Sequence, residues 1–157
     1  MALRLSTGLV NALNVTDDFK GLMTNSVIYR YSGTQPADAD AVETGTLLDV
    51  ITLNAGAFTP GVATNGLNMG TSTNGVLAKD VAEVWQSIGL AAAGTGTPAG
   101  WFRWYANDRI QGASTTAIRL DGAIGTSSSY EMRMSNTSIV EGNTSSVSTF
   151  TVTQPKV

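Results

Sequence analysis

Apolar positions in this chain mostly recur at every second residue, and only the start departs from that rhythm. Between residues 1 and 24, Leu3, Leu5, Leu9, Val10 and Leu13 fit a short amphipathic helix better than a strand. Ser6 or Thr7 is suited to cap it, because a hydroxyl there can accept from a free backbone N–H of the first turn. A second short turn is expected from Asp17 to about Met23. From Ser26 onward the period is two. Ser26 to Tyr31 reads as a strand, with Val27, Tyr29 and Tyr31 on one face and Ile28 and Arg30 on the other. Thr46 to Leu53 reads likewise, but Asp49 interrupts the face of Leu47, Ile51 and Leu53. Leu48 and Val50 are therefore expected to mark the core side near it.

Further strands are expected at Leu67–Met69, Val76–Lys79, Ala82–Leu90, Ala117–Ile124, Tyr130–Met134, Ser138–Val140 and Ser146–Thr153. Asn74-Gly75 is a hairpin dipeptide, since a type I′ turn needs positive φ at both positions. The loops between are marked by Pro36 within 33–45, by Pro60-Gly61 within 54–65, and by the glycines of 94–100.

The densest apolar run is Gly100-Trp101-Phe102-Arg103-Trp104-Tyr105. As a strand it sends Trp101, Arg103 and Tyr105 one way and Phe102 and Trp104 the other, so both faces require cover. A central core strand is the leading reading; an aromatic platform for a sugar or a base is the alternative. Arg103 either stacks on its aromatic neighbours or marks the face nearer solvent.

Roughly nine or ten short strands, spaced about 8–12 residues apart with Gly, Asn and Pro between them, predict a mainly β protein. The expectation is a single-domain, jelly-roll-like β-sandwich over 25–157, with a short N-terminal helical segment or arm over 1–24. That arm either lies on the β domain or docks on a neighbouring subunit.

Composition narrows the function. Charged residues make up 13% of the 157, about half the usual share, and Thr, Ser, Asn and Gly replace them. A surface of that kind suits contact with other proteins. Net charge is −3 with no Lys/Arg cluster, which disfavours nucleic acid. There is no Cys and no His, which removes disulfides, thiolate and histidine zinc sites, and Ser-His-Asp or Cys-His catalysis. No basic-then-apolar leader and no apolar run of about 18–20 residues is present, so a soluble cytoplasmic product is expected, with no membrane partner.

The remaining chemical candidates are weak. Asp38, Asp40 and Glu43 cluster on a loop without the spacing of a calcium loop, and a solvated acidic loop is expected. Asp108 with Asp121, or Glu131 with Glu141, would make a glycosidase dyad only at a separation that sequence does not define. Gly94 to Gly100 lacks the Lys-Ser/Thr of a phosphate loop. Met132 and Met134 are expected to fill core or interface. No enzyme, cofactor or metal is expected.

Several stretches resemble small proteins encoded by tailed bacteriophages and prophages. They are Leu5-Ser6-Thr7-Gly8-Leu9, then 31–40 (YSGTQPADAD) with Glu43-Thr44-Gly45-Thr46-Leu47-Leu48. Ala57-Phe58-Thr59-Pro60-Gly61, 100–105 (GWFRWY) and Arg119-Leu120-Asp121-Gly122 followed by Ile124-Gly125 continue the likeness over most of the chain. The resemblance implies a structural part of a virion, and no catalytic residues. The leading expectation is a capsid decoration (cement) protein, made in the host cytoplasm and placed on the capsid surface. Its partners would be the major capsid protein and further copies of itself, as a dimer or trimer. Docking is expected through Leu3, Leu5, Leu9 and Leu13 of the arm and through Gln35, Pro36, Phe58 and Pro60 of the loops. The alternatives are a tail, baseplate or fibre component, or a glycan-binding β-sandwich using Trp85, Trp101 or Tyr105.

Overall fold

The computed structural model describes residues 3–153. The protein is a mainly β, antiparallel sandwich with short helices at its N-terminal end. The chain begins with strand β1 (Arg4–Leu5), helix α1 (Thr7–Val15) and helix α2 (Phe19–Leu22). Ser6 is the N-cap of α1: it is extended, and its Oγ accepts from the Leu9 N–H at 3.1 Å. That cap separates the leucines expected to share one helix. Leu5 pairs with Leu120 in a strand, Leu3 precedes it, and the helix starts only at Thr7. Asp18 caps α2 in the same way, accepting from Gly21 N–H at 2.8 Å.

The strands that follow are β2 (Val27–Ser32), β3 (Leu47–Leu53), β4 (Met69–Thr73), β5 (Val76–Lys79), β6 (Trp85–Ile88) and β7 (Thr97–Tyr105). Then come β8 (Arg119–Gly125), β9 (Met132–Arg133), β10 (Ser138–Ile139), β11 (Thr144–Val147) and β12 (Thr151–Thr153). One sheet has the order β1-β8-β7-β2-β3-β6-β11, with β9 beside β8 and β10 beside β7; a smaller sheet has the order β12-β5-β4. The aromatic strand β7 is central, flanked antiparallel by β2 and β8.

The two faces of β7 belong to two separate clusters. Phe102 and Trp104 join Ile28, Ile51, Trp85, Leu120 and Ile124 in the main core. The smaller sheet contributes Met69 and Leu77 to that core. Phe150 wedges its ring 5.0 Å from Trp104 and 5.9 Å from Trp85. Truncating a ring as buried as Trp104 to Ala would cost about 3–5 kcal/mol. On the opposite face, Val27, Tyr29, Tyr31, Trp101 and Tyr105 form a second cluster, with half-buried Leu47, Val50 and Phe58 against it. Long loops, not strands, cover that second face.

The N-terminal segment does not stand apart from the β domain. Leu9, Phe19 and Met23 lie in the main core together with the sheet residues. Gly8 lets α1 approach closely, since a Cβ there would stand 2.3 Å from the Thr116 carbonyl oxygen. Residues 3–24 and 25–153 thus share one apolar interior rather than forming an arm and a separate body.

Several strands are shorter than alternation alone predicts. The Ala82 end of the sixth strand is taken by a turn, in which Asp80 accepts from the Ala82 and Glu83 N–H groups. The expected Ser146–Thr153 strand is two strands, because the chain leaves β6 to turn Phe150 inward and then pairs with β5. Leu67 makes only a bridge to Ser26, and the strand there starts at Met69. Among the described residues, no helix is long and apolar enough to cross a membrane.

Candidate functional site

The most concentrated chemistry in the fold lies under the loop between β2 and β3. Arg103 and Asp121 are paired across β7 and β8 and are both fully buried. Their side chains meet in a two-pronged bond, Nε to Oδ1 at 2.6 Å and Nη2 to Oδ2 at 2.7 Å. The guanidinium also stands 5.4 Å from the Trp101 ring centroid, so Arg103 stacks on its aromatic neighbour and lies away from solvent. Burial disfavours the Arg103 cation, but the Asp121 carboxylate outweighs that and holds it above its ordinary pKa.

Glu43 reaches into this site from the loop. Its Oε1 accepts from Tyr105 Oη at 2.7 Å and from Arg103 Nη1 at 3.0 Å. The same carboxylate accepts from the Gly112 N–H, 3.0 Å from Oε2, and so ties in the loop between β7 and β8. Burial pushes the Glu43 carboxyl up, but the bonds from Tyr105 and Gly112 and the charge of Arg103 outweigh it and leave it below its ordinary value. Arg119 completes the clamp: its guanidinium donates to the carbonyls of Ala39 at 2.7 Å, Ile110 at 2.9 Å and Asp40 at 3.1 Å. Burial raises both tyrosines of the pair Tyr31 and Tyr105, whose hydroxyls are 3.3 Å apart; Tyr31 is pushed up to about 12.

A second ionic group lies on the opposite face. Arg30 donates Nε to Asp49 Oδ1 at 2.8 Å and bonds Asp49 Oδ2 through Nη2. Ser87 Oγ donates to Asp49 Oδ2 at 2.7 Å, and both charged side chains are buried. Asp49 therefore belongs to the core face. The register shift between Arg30 and Tyr31 turns Leu48 to that face as well, while Val50 packs on the other.

In both groups the buried arginines are paired with carboxylates inside the protein. Asp121, one member of a possible carboxylate dyad, is fully buried against Arg103. Asp38 and Asp40 serve the backbone: Asp38 accepts from the N–H groups of Asp40 and Ala41, and Asp40 from Thr7. Trp85, Trp101 and Tyr105, the rings considered for glycan contact, are all at 0% exposure and present no platform.

The expected docking residues divide. Leu3, Leu5 and Pro60 are exposed. Leu13 and Phe58 are half-buried, each packed on one of the apolar clusters. Leu9, Gln35 and Pro36 are buried within the chain itself. The structure adds exposed apolar residues that alternation alone did not single out. Val84, Ile88 and Leu90 lie along the outer side of β6, at 48%, 49% and 40% exposure, and Val81 precedes them at 98%. Beside Ile88, the outermost strand β11 is made of Thr, Ser and Val with no charge.

No family model matches the chain, and neither the curated proteins nor the solved structures contain a match.

Proposed function

We propose that this chain is a structural protein of a tailed-bacteriophage virion, with capsid decoration as its specific role. In this reading it binds the major capsid protein shell as a homo-oligomer, stabilises the shell, and performs no catalysis. The observation that supports it is where the charges are. The sequence has nine Lys and Arg. Arg30, Arg103 and Arg119 are buried, and their charges are answered by Asp49, Asp121 and Glu43. The outer surface is left with even less charge than the composition indicates. Strand β11 at the end of the main sheet, made of Thr, Ser and Val, and the exposed Val84, Ile88 and Leu90 carry no lysine or proline of the kind that normally blocks pairing.

Such a surface packs against another protein with little ion desolvation. Apolar contact adds about 25 cal/mol per Å² buried, and strand edges offer backbone hydrogen bonds. Repetition over a symmetric shell converts weak single contacts into firm attachment.

The test is co-sedimentation of the purified protein with capsids that lack it, at low salt and in about 1 M NaCl, where the Debye length is about 3 Å. Binding that survives high salt is the expected result. Binding abolished by salt would show an electrostatic attachment that this surface does not offer. Failure to bind capsids, with binding to tails instead, would favour the tail, baseplate or fibre alternative.

A further inference from the structure

The main sheet curls so that its two ends face each other across a groove of about 740 Å³. Residues 128–136, beside the outer edge of β8, form one wall, and residues 144–151, running from β11 toward β12, form the other. We propose that this groove binds a neutral oligosaccharide, with Tyr130 as the stacking platform. The inference concerns the free protein and does not rest on the virion role.

Three observations carry it. The first is the ring. Tyr130 lies against Gly125, where an added Cβ would stand 2.3 Å from the ring atoms. A side chain at 125 would push the ring away, so the bare backbone of β8 supports one side of Tyr130 while the residue lines the groove. A half-buried aromatic with its ring braced suits stacking on the apolar face of a sugar.

The second is the rim. Asn136, Ser146, Ser148 and Thr149 line the groove with hydroxyl and amide groups. Each hydroxyl both donates and accepts, as a sugar hydroxyl does. Phe150 and Met134, both half-buried, add apolar surface. The volume lies within the usual range for ligand sites and has room for roughly three sugar rings.

The third is the absence of net charge. Three ionic side chains line the groove: Arg30, whose charge Asp49 answers, and Glu131 and Arg133, which carry opposite signs. Glu131 Oε2 accepts from Ala123 N–H at 2.9 Å, and Arg133 Nε donates to the Thr126 carbonyl at 3.2 Å. A charged ligand would find no net counter-charge, whereas a neutral polyol would find matched donors and acceptors.

The test is calorimetric titration of the full chain with maltotetraose, cellotetraose and the N-acetylglucosamine tetramer. Binding of at least one with Kd in the high micromolar to millimolar range, about −4 to −6 kcal/mol, is expected. Tyr130→Ala should weaken it about tenfold and Tyr130→Phe should keep it within about threefold, since stacking carries the contact. Thr149→Trp, on an exposed wall position, should block the groove without touching the core; it guards against loss of binding through misfolding. No binding by any of the three sugars at about 20 mM, weaker than any useful site, would overturn the proposal. So would binding that Tyr130→Ala and Thr149→Trp both leave unchanged, or a groove that accepts an extended Ser/Thr-Val peptide in place of sugar.

Discussion

Glu43 and Tyr105 meet at 2.7 Å, and with the Arg103 bond to the same carboxylate they join the loop after β2 to the central aromatic strand. Glu43 is 13% exposed, and it also answers Arg103 and Arg119. Replacing it with Gln keeps the shape and removes the charge beside two buried cations. The expected cost is about 2–3 kcal/mol, measured by denaturant unfolding. The pH dependence has a defined sign. The folded Glu43 carboxyl lies below its ordinary value of 4.5, so its contribution is present above that pH and is lost as pH falls through the folded value. Acid unfolding of Glu43→Gln should therefore lack this part of the wild-type slope; an identical slope would sink the latch.

At the alkaline end the tyrosines dominate. Burial raises Tyr31 to about 12 and raises Tyr105 further, whereas unfolded tyrosines ionise near 10. Stability is thus unaffected by these groups below pH 10 and falls as pH rises toward 12, by about 1.4 kcal/mol per pH unit for each tyrosine held neutral. An ultraviolet titration of the native protein should leave two phenols silent past pH 10, released together on unfolding. Ionisation of all four tyrosines in the native state near pH 10 would contradict the buried pair.

The Arg30–Asp49 pair gives a sharper contrast. Asp49→Ala strands a buried guanidinium and should cost about 3–5 kcal/mol, whereas the double change Arg30→Met with Asp49→Leu should be close to neutral. Chemical denaturation of both variants checks this. Equal losses in the two would mean that the ion pair is not what the site depends on.

The N-terminal segment should be indispensable to the fold. Deleting residues 1–15 removes fully buried Leu9 and the Ser6 contacts to Ala117 and Arg119. The truncated chain should lose cooperative thermal unfolding. A sharp transition with unchanged midpoint would restore the view of a detachable arm.

These outcomes show which features the sequence could display. Alternation placed Trp101, Arg103 and Tyr105 opposite Phe102 and Trp104, and it correctly required cover on both faces. Ser6 was legible as a cap because capping is local, within three residues. Asp49 and Asp121 were not legible as buried residues, since their partners Arg30 and Arg103 lie on neighbouring strands and depend on register. Glu43 read as part of a solvated acidic loop because nothing near it in sequence shows that Tyr105 and Gly112 wait beneath. The docking leucines of the helix read as one stripe only until the Ser6 cap divides them.

Copy number per particle tests the central claim most directly. Purified virions, analysed by quantitative mass spectrometry against the major capsid protein, should contain this chain at about one to one, or one to a small integer, as a symmetric shell component requires. Complete absence from the particle would contradict the virion role altogether.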